Sequence, residues 1–291
     1  MKPRNTRTDM DRQPLLTYYD LDPDVTAFST TRHGGWSRGN YASLNINTYC
    51  GDNPDDVERN RLSLCRLLAV EDDKLVVPHQ VHQTRVADIN DAFFSLDRDG
   101  RATALEGVDA VMTSLPKVCI GVSTADCIPL LLFDDVQRVA CAIHAGWRGT
   151  VARISQVAVD EMRRVYGCHA EHMRTQIGPG ISLDSFEVGD EVYEAFRQAG
   201  FEMGVISRRQ PSNNGKGSKW HIDLPECNRQ QLLAAGLLPE RVSSSEVCTY
   251  LHHDTYFSAR RLGISSGRIY TGIIISERKI SSSSDTDICS R

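Results

Sequence analysis

The sequence lacks the marks of several large protein classes. None of its nine cysteines forms a C-x-x-C pair, and their odd number does not fit a closed disulfide framework. No apolar run is long enough to cross a bilayer, and no apolar segment typical of a signal peptide follows the first methionine. The net charge is −5 with scattered basic residues, which does not indicate a nucleic-acid-binding surface. We therefore expect a cytoplasmic protein with reduced thiols that binds neither nucleic acid nor membrane.

Apolar residues, in contrast, are plentiful, at 40% of the 291 residues. Apolar runs predict strands at 25–31, 75–78, 110–114, 117–123, 128–133, 138–144 and 268–275. Helical patterns cover 55–70, 149–167, 189–200 and 223–237. This order predicts one mixed α/β domain over 16–276, with a largely antiparallel mixed sheet flanked by helices. Residues 1–15 are expected to be a loose arm, and 277–291 a disordered polar tail.

One stretch, TADCIPLLLFDDVQRVACAIHAGWRGT (124–150), carries a cysteine before one apolar run and a histidine at the end of the next. If the connecting turn is centred between Asp135 and Val136, Cys127 lies opposite His144. Opposed antiparallel residues have Cβ atoms about 4.5–5.5 Å apart, which suits two ligands of one metal ion. Either residue alone is more typical of a core thiol or of a hydrogen-bonded histidine.

The residues around this hairpin add candidates. Gly146 and Gly149 permit a tight turn into a helix, where Arg148 and backbone N–H groups could hold a phosphate or carboxylate. A third metal ligand could come from VVPHQVHQTRV, which carries His79 and His82. Their spacing places them on opposite faces of a strand, so at most one should face the site. The residues alone do not choose between them.

Several motifs together resemble the YfiH family. They are TADC, QVH, AIHAGWRGT, IGPGIS…FEVG (177–189), FSARRLGISSGR (257–268), and FSTTRHGGWSRGNYASLNIN (28–47) followed by ERNR (58–61). The resemblance runs from about Phe28 to Ile275. The family was once labelled multicopper polyphenol oxidase or laccase-domain proteins, and its members are now described as purine nucleoside phosphorylases.

The resemblance implies a zinc site made of His82, Cys127 and His144, at which copper could also bind. Gln83 stands where the family usually has a glycine after the first histidine. The implied activity is phosphorolysis of adenosine, inosine and S-methyl-5′-thioadenosine, with adenosine deamination as a side activity. The implied partners are small nucleosides and phosphate, and we expect a monomer or homodimer.

Other roles in this chemistry need charged side chains. The candidates for binding phosphate or substrate are Arg148 first, then Arg32, Arg260 and Arg261. The carboxylate candidates, as general acid or base or as support for His144, are Asp126, Asp109 and Glu187. Glu187 is also a candidate for substrate binding. Because Asp126 alternates with Cys127, its side chain is expected to point away from the metal.

Three other functions compete with this one. Cys127 as nucleophile with His144 as base would suit an amide hydrolase, and the family has been connected to editing of peptidoglycan precursors. A multicopper laccase needs many histidines, usually in H-x-H pairs, and this sequence has nine histidines and no such pair, so we reject a laccase. A non-enzymatic binding protein would leave the three ligand candidates without a purpose.

Overall fold

The computed structural model describes residues 12–212, 215 and 217–278. Its strands are β1 Leu16–Tyr19, β2 Val25–Thr30, β3 Leu75–Val76, β4 Val86–Asp88, β5 Ala110–Thr113, β6 Cys119–Thr124, β7 Ile128–Asp134, β8 Val139–Ala145, β9 Met173–Ile177, β10 Glu187–Val188, β11 Ser207–Pro211, β12 Ser218–Ile222, β13 Val242–Ser244 and β14 Ile269–Ile275. Its helices are α1 Pro54–Leu68, α2 Asp91–Phe94, α3 Arg98–Ala104, α4 Trp147–Val151, α5 Ile154–Tyr166, α6 Asp190–Gln198, α7 Met203–Ile206, α8 Leu224–Ala234 and α9 Ala259–Leu262.

The strands form three sheets. A five-stranded sheet has the order β1-β2-β14-β6-β3, a six-stranded sheet has the order β13-β9-β7-β8-β5-β4, and a small sheet has the order β10-β12-β11. Within the two large sheets, β3 pairs parallel with β6, β4 with β5, and β13 with β9, whereas the other pairs are antiparallel. The predicted mixed α/β fold with largely antiparallel sheets is therefore confirmed.

The two large sheets face each other across an apolar layer. Ile120 and Val122 of β6 meet Ala140 and Ala142 of β8 in this layer, together with Phe133 of β7. Helices cover the outer faces. Helix α5 and helix α8 pack on the six-stranded sheet, and α1 packs on the five-stranded one. The burial of apolar side chains on both faces of the central strands explains their unbroken apolar runs.

The chain crosses from the five-stranded to the six-stranded sheet at one end of this layer. One crossing follows β3 and leads to β4, and the other follows β6 and leads to β7. Because β3 and β6 run parallel, both crossings leave the sheet at the same edge. Strand β8 ends there too, since it runs antiparallel to β7. Three separate segments thus meet at the open end of the apolar layer.

The predicted hairpin forms, but its predicted register is wrong. Pro129, and not Cys127, lies opposite His144. The strand extends to Asp134, whose Oδ1 accepts the backbone N–H groups of Val136 and Gln137 at 3.0 and 2.8 Å. This side-chain-stabilised turn moves the centre of the loop by one residue.

One predicted helix is interrupted. The region 149–167 forms α4 and α5 as separate helices, because Arg153 adopts a left-handed conformation with φ of 66°. The Arg153 guanidinium donates to the carbonyl oxygen of Ala199 at 2.7 Å and lies over the ring of Phe201. These contacts stabilise the break. The other predicted strands and helices are present within three residues at each end.

The ends of the chain are described only in part. Most of the expected arm, residues 1–11, and most of the expected tail, residues 279–291, lie outside the described residues. Leu15 exchanges backbone hydrogen bonds with the segment that follows β2, so the last residue of the expected arm is tied to the domain. Within the described part of the chain, no helix is long and apolar enough to cross a membrane.

Candidate metal centre

The three side chains at the open end of the apolar layer can share one metal ion. His82 lies on the first crossing, Cys127 on the second, and His144 near the end of β8. Their ligand atoms all lie within 4.8 Å of one another. Sγ of Cys127 is 3.8 Å from Nε2 of His82, and the two imidazole rings meet edge to face at 4.8 Å between centroids. The fold therefore brings together the three ligands that the resemblance implied.

His144 is oriented by a buried carboxylate. Its Nδ1 lies 2.8 Å from Oδ1 of Asp109, and its backbone N–H donates to the carbonyl oxygen of Asp109 at 2.8 Å. A carboxylate accepts hydrogen bonds, so the proton resides on Nδ1 and Nε2 is left for a metal. Asp109 was one of three carboxylate candidates for support of His144, and the geometry gives it that position.

The same carboxylate shapes the loop that carries His82. The backbone N–H groups of Val81, His82 and Gln83 donate to Asp109 at 3.2, 2.9 and 2.8 Å. His82 has a φ of 62°, a left-handed conformation that these bonds hold in place. Gln83 contributes its backbone N–H here, so the loop forms although the family's usual glycine is absent.

Cys127 is positioned by two neighbours. Asp126, before it, has a φ of 86° and turns its carboxylate to Thr249 Oγ1 and the backbone N–H of Arg260, at 2.7 and 2.6 Å. Beyond the last pair of the hairpin, Cys127 lies next to Gly146. A Cβ at Gly146 would lie 3.1 Å from Sγ of Cys127 and 2.7 Å from Cδ2 of His82. Only a glycine leaves room for the ligands to approach this closely.

The charges of these groups depend on one another. Burial alone would raise the pKa of the Cys127 thiol, but the neighbouring His144 imidazole lowers it below its usual value. Burial would lower the pKa of His144, whereas the Cys127 thiolate and Asp109 raise it. Burial also works against the Asp109 carboxylate, yet its hydrogen bonds hold its pKa below the usual range. The thiolate needed for metal binding is thus stabilised before any metal arrives.

The donor set fits zinc. Two imidazole nitrogens and one thiolate are ligands that Zn²⁺ prefers, and three protein ligands leave a fourth position open, as in catalytic zinc sites. Asp109 supplies the carboxylate partner that ligating histidines usually have. Copper prefers the same nitrogen and sulfur ligands, so the donor set alone does not select between the two metals.

A cavity of about 320 Å³ opens onto these ligands. In its wall, the ring of Tyr49 stacks on that of His79 at 4.2 Å between centroids, and Tyr49 is 47% exposed. Nδ1 of His79 lies 2.8 Å from the carboxylate of Glu106, so this histidine contacts Glu106 and is not part of the three-ligand group. Ile264, 82% exposed, adds an apolar edge. A larger cavity of about 610 Å³ lies between α1 and α3, but its lining includes none of the three ligands.

The predicted arginines make contacts outside this wall. Arg32 donates to the carbonyl oxygens of Ala42 and His253 at 2.9 and 2.6 Å, and burial lowers its pKa. Arg148 is exposed at the start of α4, with its guanidinium over the ring of Trp147.

The remaining candidates lie around α9. Arg260 donates to the carbonyl oxygen of Glu187 at 3.0 Å, and the Glu187 carboxylate accepts a hydrogen bond from Ser212. Arg261 lies against Tyr250 instead. The arginine that lines the cavity is Arg268, which sequence reasoning missed together with Tyr49, Ser123 and Thr124.

Known proteins are similar to this chain along most of its length. A family model described as multi-copper polyphenol oxidoreductase laccase matches residues 26–276. The purine nucleoside phosphorylase of Bacteroides thetaiotaomicron is 47% identical over 263 residues, covering 90% of this chain and 96% of the relative. Adenosine deaminase RL5, from an unknown prokaryotic organism, is 46% identical over 249 residues, covering 86% and 93%. The crystal structure of the Bacillus licheniformis hypothetical protein YfiH matches with a TM-score of 0.81 at 28% identity, covering 92% and 98%.

Fold and site define a mixed α/β protein with a histidine–cysteine–histidine group at the edge where its two large sheets meet. The relatives match this chain over more than four-fifths of its length and theirs. The chain belongs to the YfiH family, as the motifs indicated.

Proposed function

We propose that this chain is a zinc-dependent purine nucleoside phosphorylase that acts on adenosine, inosine and S-methyl-5′-thioadenosine and deaminates adenosine as a side activity. The observation that carries the proposal is the group of His82, Cys127 and His144 at the end of a cavity. Two relatives that are 46–47% identical are named for reactions of purine nucleosides, one a phosphorylase and the other a deaminase.

In phosphorolysis, an oxygen of phosphate forms a bond to the anomeric carbon of the ribose. The bond from that carbon to the purine nitrogen breaks, and its electron pair leaves with the purine, which takes up a proton. Zinc, held by the three ligands, would supply a Lewis acid and lower the pKa of a bound water. Asp109 keeps the proton on Nδ1 of His144 and thereby directs Nε2 to the metal.

The cavity wall supports a nucleoside as the ligand. The exposed face of Tyr49, stacked on His79, offers a flat apolar surface to a purine ring. Arg268 adds a positive charge to the wall, and Arg148, Arg32 and Arg260 stay proposed contacts for phosphate. In this proposal, Asp126 and Glu187 act by holding Arg260 in place. The Asp126 carboxylate accepts the backbone N–H of Arg260, and the carbonyl oxygen of Glu187 accepts a hydrogen bond from its guanidinium.

The proposed cofactor is zinc, and the proposed compartment is the cytoplasm. All eight cysteines in the described part of the chain are free thiols, which supports a reducing compartment. Copper is the competing metal. The family model's description names a multi-copper enzyme, but among the described residues one group of three histidine or cysteine ligands comes together, which suffices for a single ion.

One alternative rests on a specific observation. The pairing of Cys127 with His144, which lowers the pKa of the thiol, also suits a nucleophilic cysteine in an amide hydrolase. Iodoacetamide separates the two roles. A thiolate bound to zinc should resist alkylation until a chelator is added, whereas a nucleophilic Cys127 should react in the isolated protein.

The first test is to incubate the purified protein with inosine, with and without phosphate, and to separate the products by chromatography. Inosine cannot report deamination, so it isolates the glycosidic reaction. Hypoxanthine and ribose 1-phosphate should form only with phosphate. Cys127→Ala should lose both zinc and product, whereas Cys227→Ala, which removes a buried thiol on α8, should keep both. An inactive wild-type protein with one zinc per chain would instead favour amide hydrolysis.

A further inference from the structure

Two buried hydroxyl groups border the metal cavity without an obvious structural purpose. They belong to Ser123 and Thr124, at the end of β6, which are 5% and 1% exposed. Both residues line the cavity. Within the described residues, neither Ser123 Oγ nor Thr124 Oγ1 has a hydrogen-bond partner. An unpaired buried hydroxyl destabilises a fold, so its presence needs an explanation.

The backbone that carries these hydroxyls is held firmly. The side-chain amide of Gln80 donates to the carbonyl oxygen of Ser123 at 2.8 Å and accepts its backbone N–H at 2.7 Å. Thr124 pairs with Ile269 of β14 on the other side of the strand. The hydroxyls are therefore positioned in advance, which lowers the entropic cost of binding a ligand.

Two basic side chains of the wall are already engaged. His79 contacts the Glu106 carboxylate. The Arg268 guanidinium donates to oxygens of Ser266, Gly267 and Ile264. The neutral hydroxyls are thus polar groups that the protein leaves for a ligand, and each can both donate and accept a hydrogen bond.

We propose that Ser123 and Thr124 bind the ribose hydroxyl groups of the nucleoside, an inference that rests on the proposed function. A neutral hydroxyl matches a sugar hydroxyl, whereas phosphate calls for positively charged donors. Side chains alternate along a strand, so Thr124 points to the same face of β6 as Ile120 and Val122. That face borders the apolar layer between the two large sheets, at the end where His144 lies. Ser123 alternates to the opposite side. Both residues nevertheless line the same cavity, at the end of β6, so in this proposal each contacts a different hydroxyl of one sugar.

The test compares inosine with its 2′-, 3′- and 5′-deoxy analogues in the wild type and in the double variant Ser123→Ala/Thr124→Val. With phosphate present, wild-type kcat/KM should be lower for at least one analogue than for inosine. The double variant should lose roughly 3- to 10-fold per hydroxyl on inosine and far less on that analogue. Calorimetric binding of the same nucleosides without phosphate should show the same pattern.

Three results would overturn the inference. They are a wild type that does not distinguish the analogues, an equal loss on all four nucleosides, and a double variant that behaves as the wild type. Thr175→Val is the matched control, because its buried hydroxyl donates to the Leu131 carbonyl oxygen outside the cavity, and it should leave the preference unchanged. Selective binding of inosine without any phosphorolysis would contradict the proposed function but still support the proposed sugar contacts.

Discussion

Two buried aspartates lie beside candidate metal ligands but make different contacts. Asp109 is close to its ligands in space, and Asp126 is next to one in the sequence. Asp109 accepts three backbone N–H groups from the loop of His82 and also contacts Nδ1 of His144. Asp126 directly precedes Cys127, yet its carboxylate turns to Thr249 and the backbone of Arg260. Asp109 therefore fixes two ligands at once, whereas Asp126 fixes the segment that covers the cavity. Proximity in the sequence is a poor guide to which carboxylate supports the metal.

Among variants that keep the three candidate ligands, the largest effect on zinc affinity is expected from Asp109→Asn. The amide keeps the shape but presents N–H groups to backbone donors, and it no longer supports the charge of the His144 ring. Zinc affinity should fall roughly 10- to 100-fold, as for other carboxylate partners of ligating histidines. Competition with a chromophoric chelator measures this change.

Asp134→Asn is the matched control for that variant. Asp134 is equally buried and accepts backbone N–H groups of Val136, Gln137 and His169, at the turn end of β7. It should lower thermal stability and leave zinc affinity unchanged. Wild-type zinc affinity in Asp109→Asn would contradict the role given to Asp109.

Gly146→Ala should have an intermediate effect on zinc affinity, because it disturbs His82 and Cys127 without touching either aspartate. The added methyl group would overlap Cδ2 of His82 and crowd Sγ of Cys127. Overpacking of this kind costs about 1–3 kcal/mol, of which only the part that displaces the two ligands should appear as weaker zinc binding, while the rest lowers the stability of the fold. Gly204→Ala on α7, where the nearest atom is 3.6 Å from the new methyl group, is the control. Equal zinc affinities of the two variants would show that the close approach at Gly146 is not needed.

The smallest effect on the metal is expected from Asp126→Asn. An amide cannot accept from both Thr249 and Arg260 as the carboxylate does, so the free energy of unfolding should fall by about 1–3 kcal/mol. Zinc affinity should stay that of the wild type, because the Asp126 carboxylate bonds to residues other than the ligands. Chemical denaturation and chelator competition on one preparation measure both quantities. A loss of zinc as large as in Asp109→Asn would abolish the contrast between the two aspartates.

The sequence predicted the central strands and two of the candidate ligands for physical reasons. Strands buried on both faces appear as unbroken apolar runs, and Cys127 and His144 stand at the ends of two of them. The predicted register was nevertheless one residue off centre, because the Asp134 side chain determines where the turn begins. A one-residue difference in a turn leaves little trace in an apolar pattern.

The cavity wall was much harder to foresee. Tyr49, Ser123 and Arg268 come from segments far apart in the sequence, and they meet because β6 and β14 pair while the chain before α1 folds over their ends. Short strands such as β4 and β13 have three residues each, too few for a periodic pattern to develop. The choice of His82 over His79 depended on the family motif. In the structure, His82 is the histidine that lies beside Cys127 and His144, whereas His79 contacts Glu106 and Tyr49.

Because the candidate metal ligands lie on the two crossings between the sheets, the proposed metal ion would stabilise the whole fold as well as the cavity. His82 and Cys127 each lie on one crossing, and His144 lies near the end of a strand of the six-stranded sheet. An ion held by all three residues binds only when the two sheets are packed together, as in the folded protein. Its binding free energy therefore adds to the free energy of unfolding. At a free-metal concentration 100 times the Kd, this linkage is worth about 2.7 kcal/mol. The melting temperature of the protein would then rise and fall with the free zinc of its surroundings.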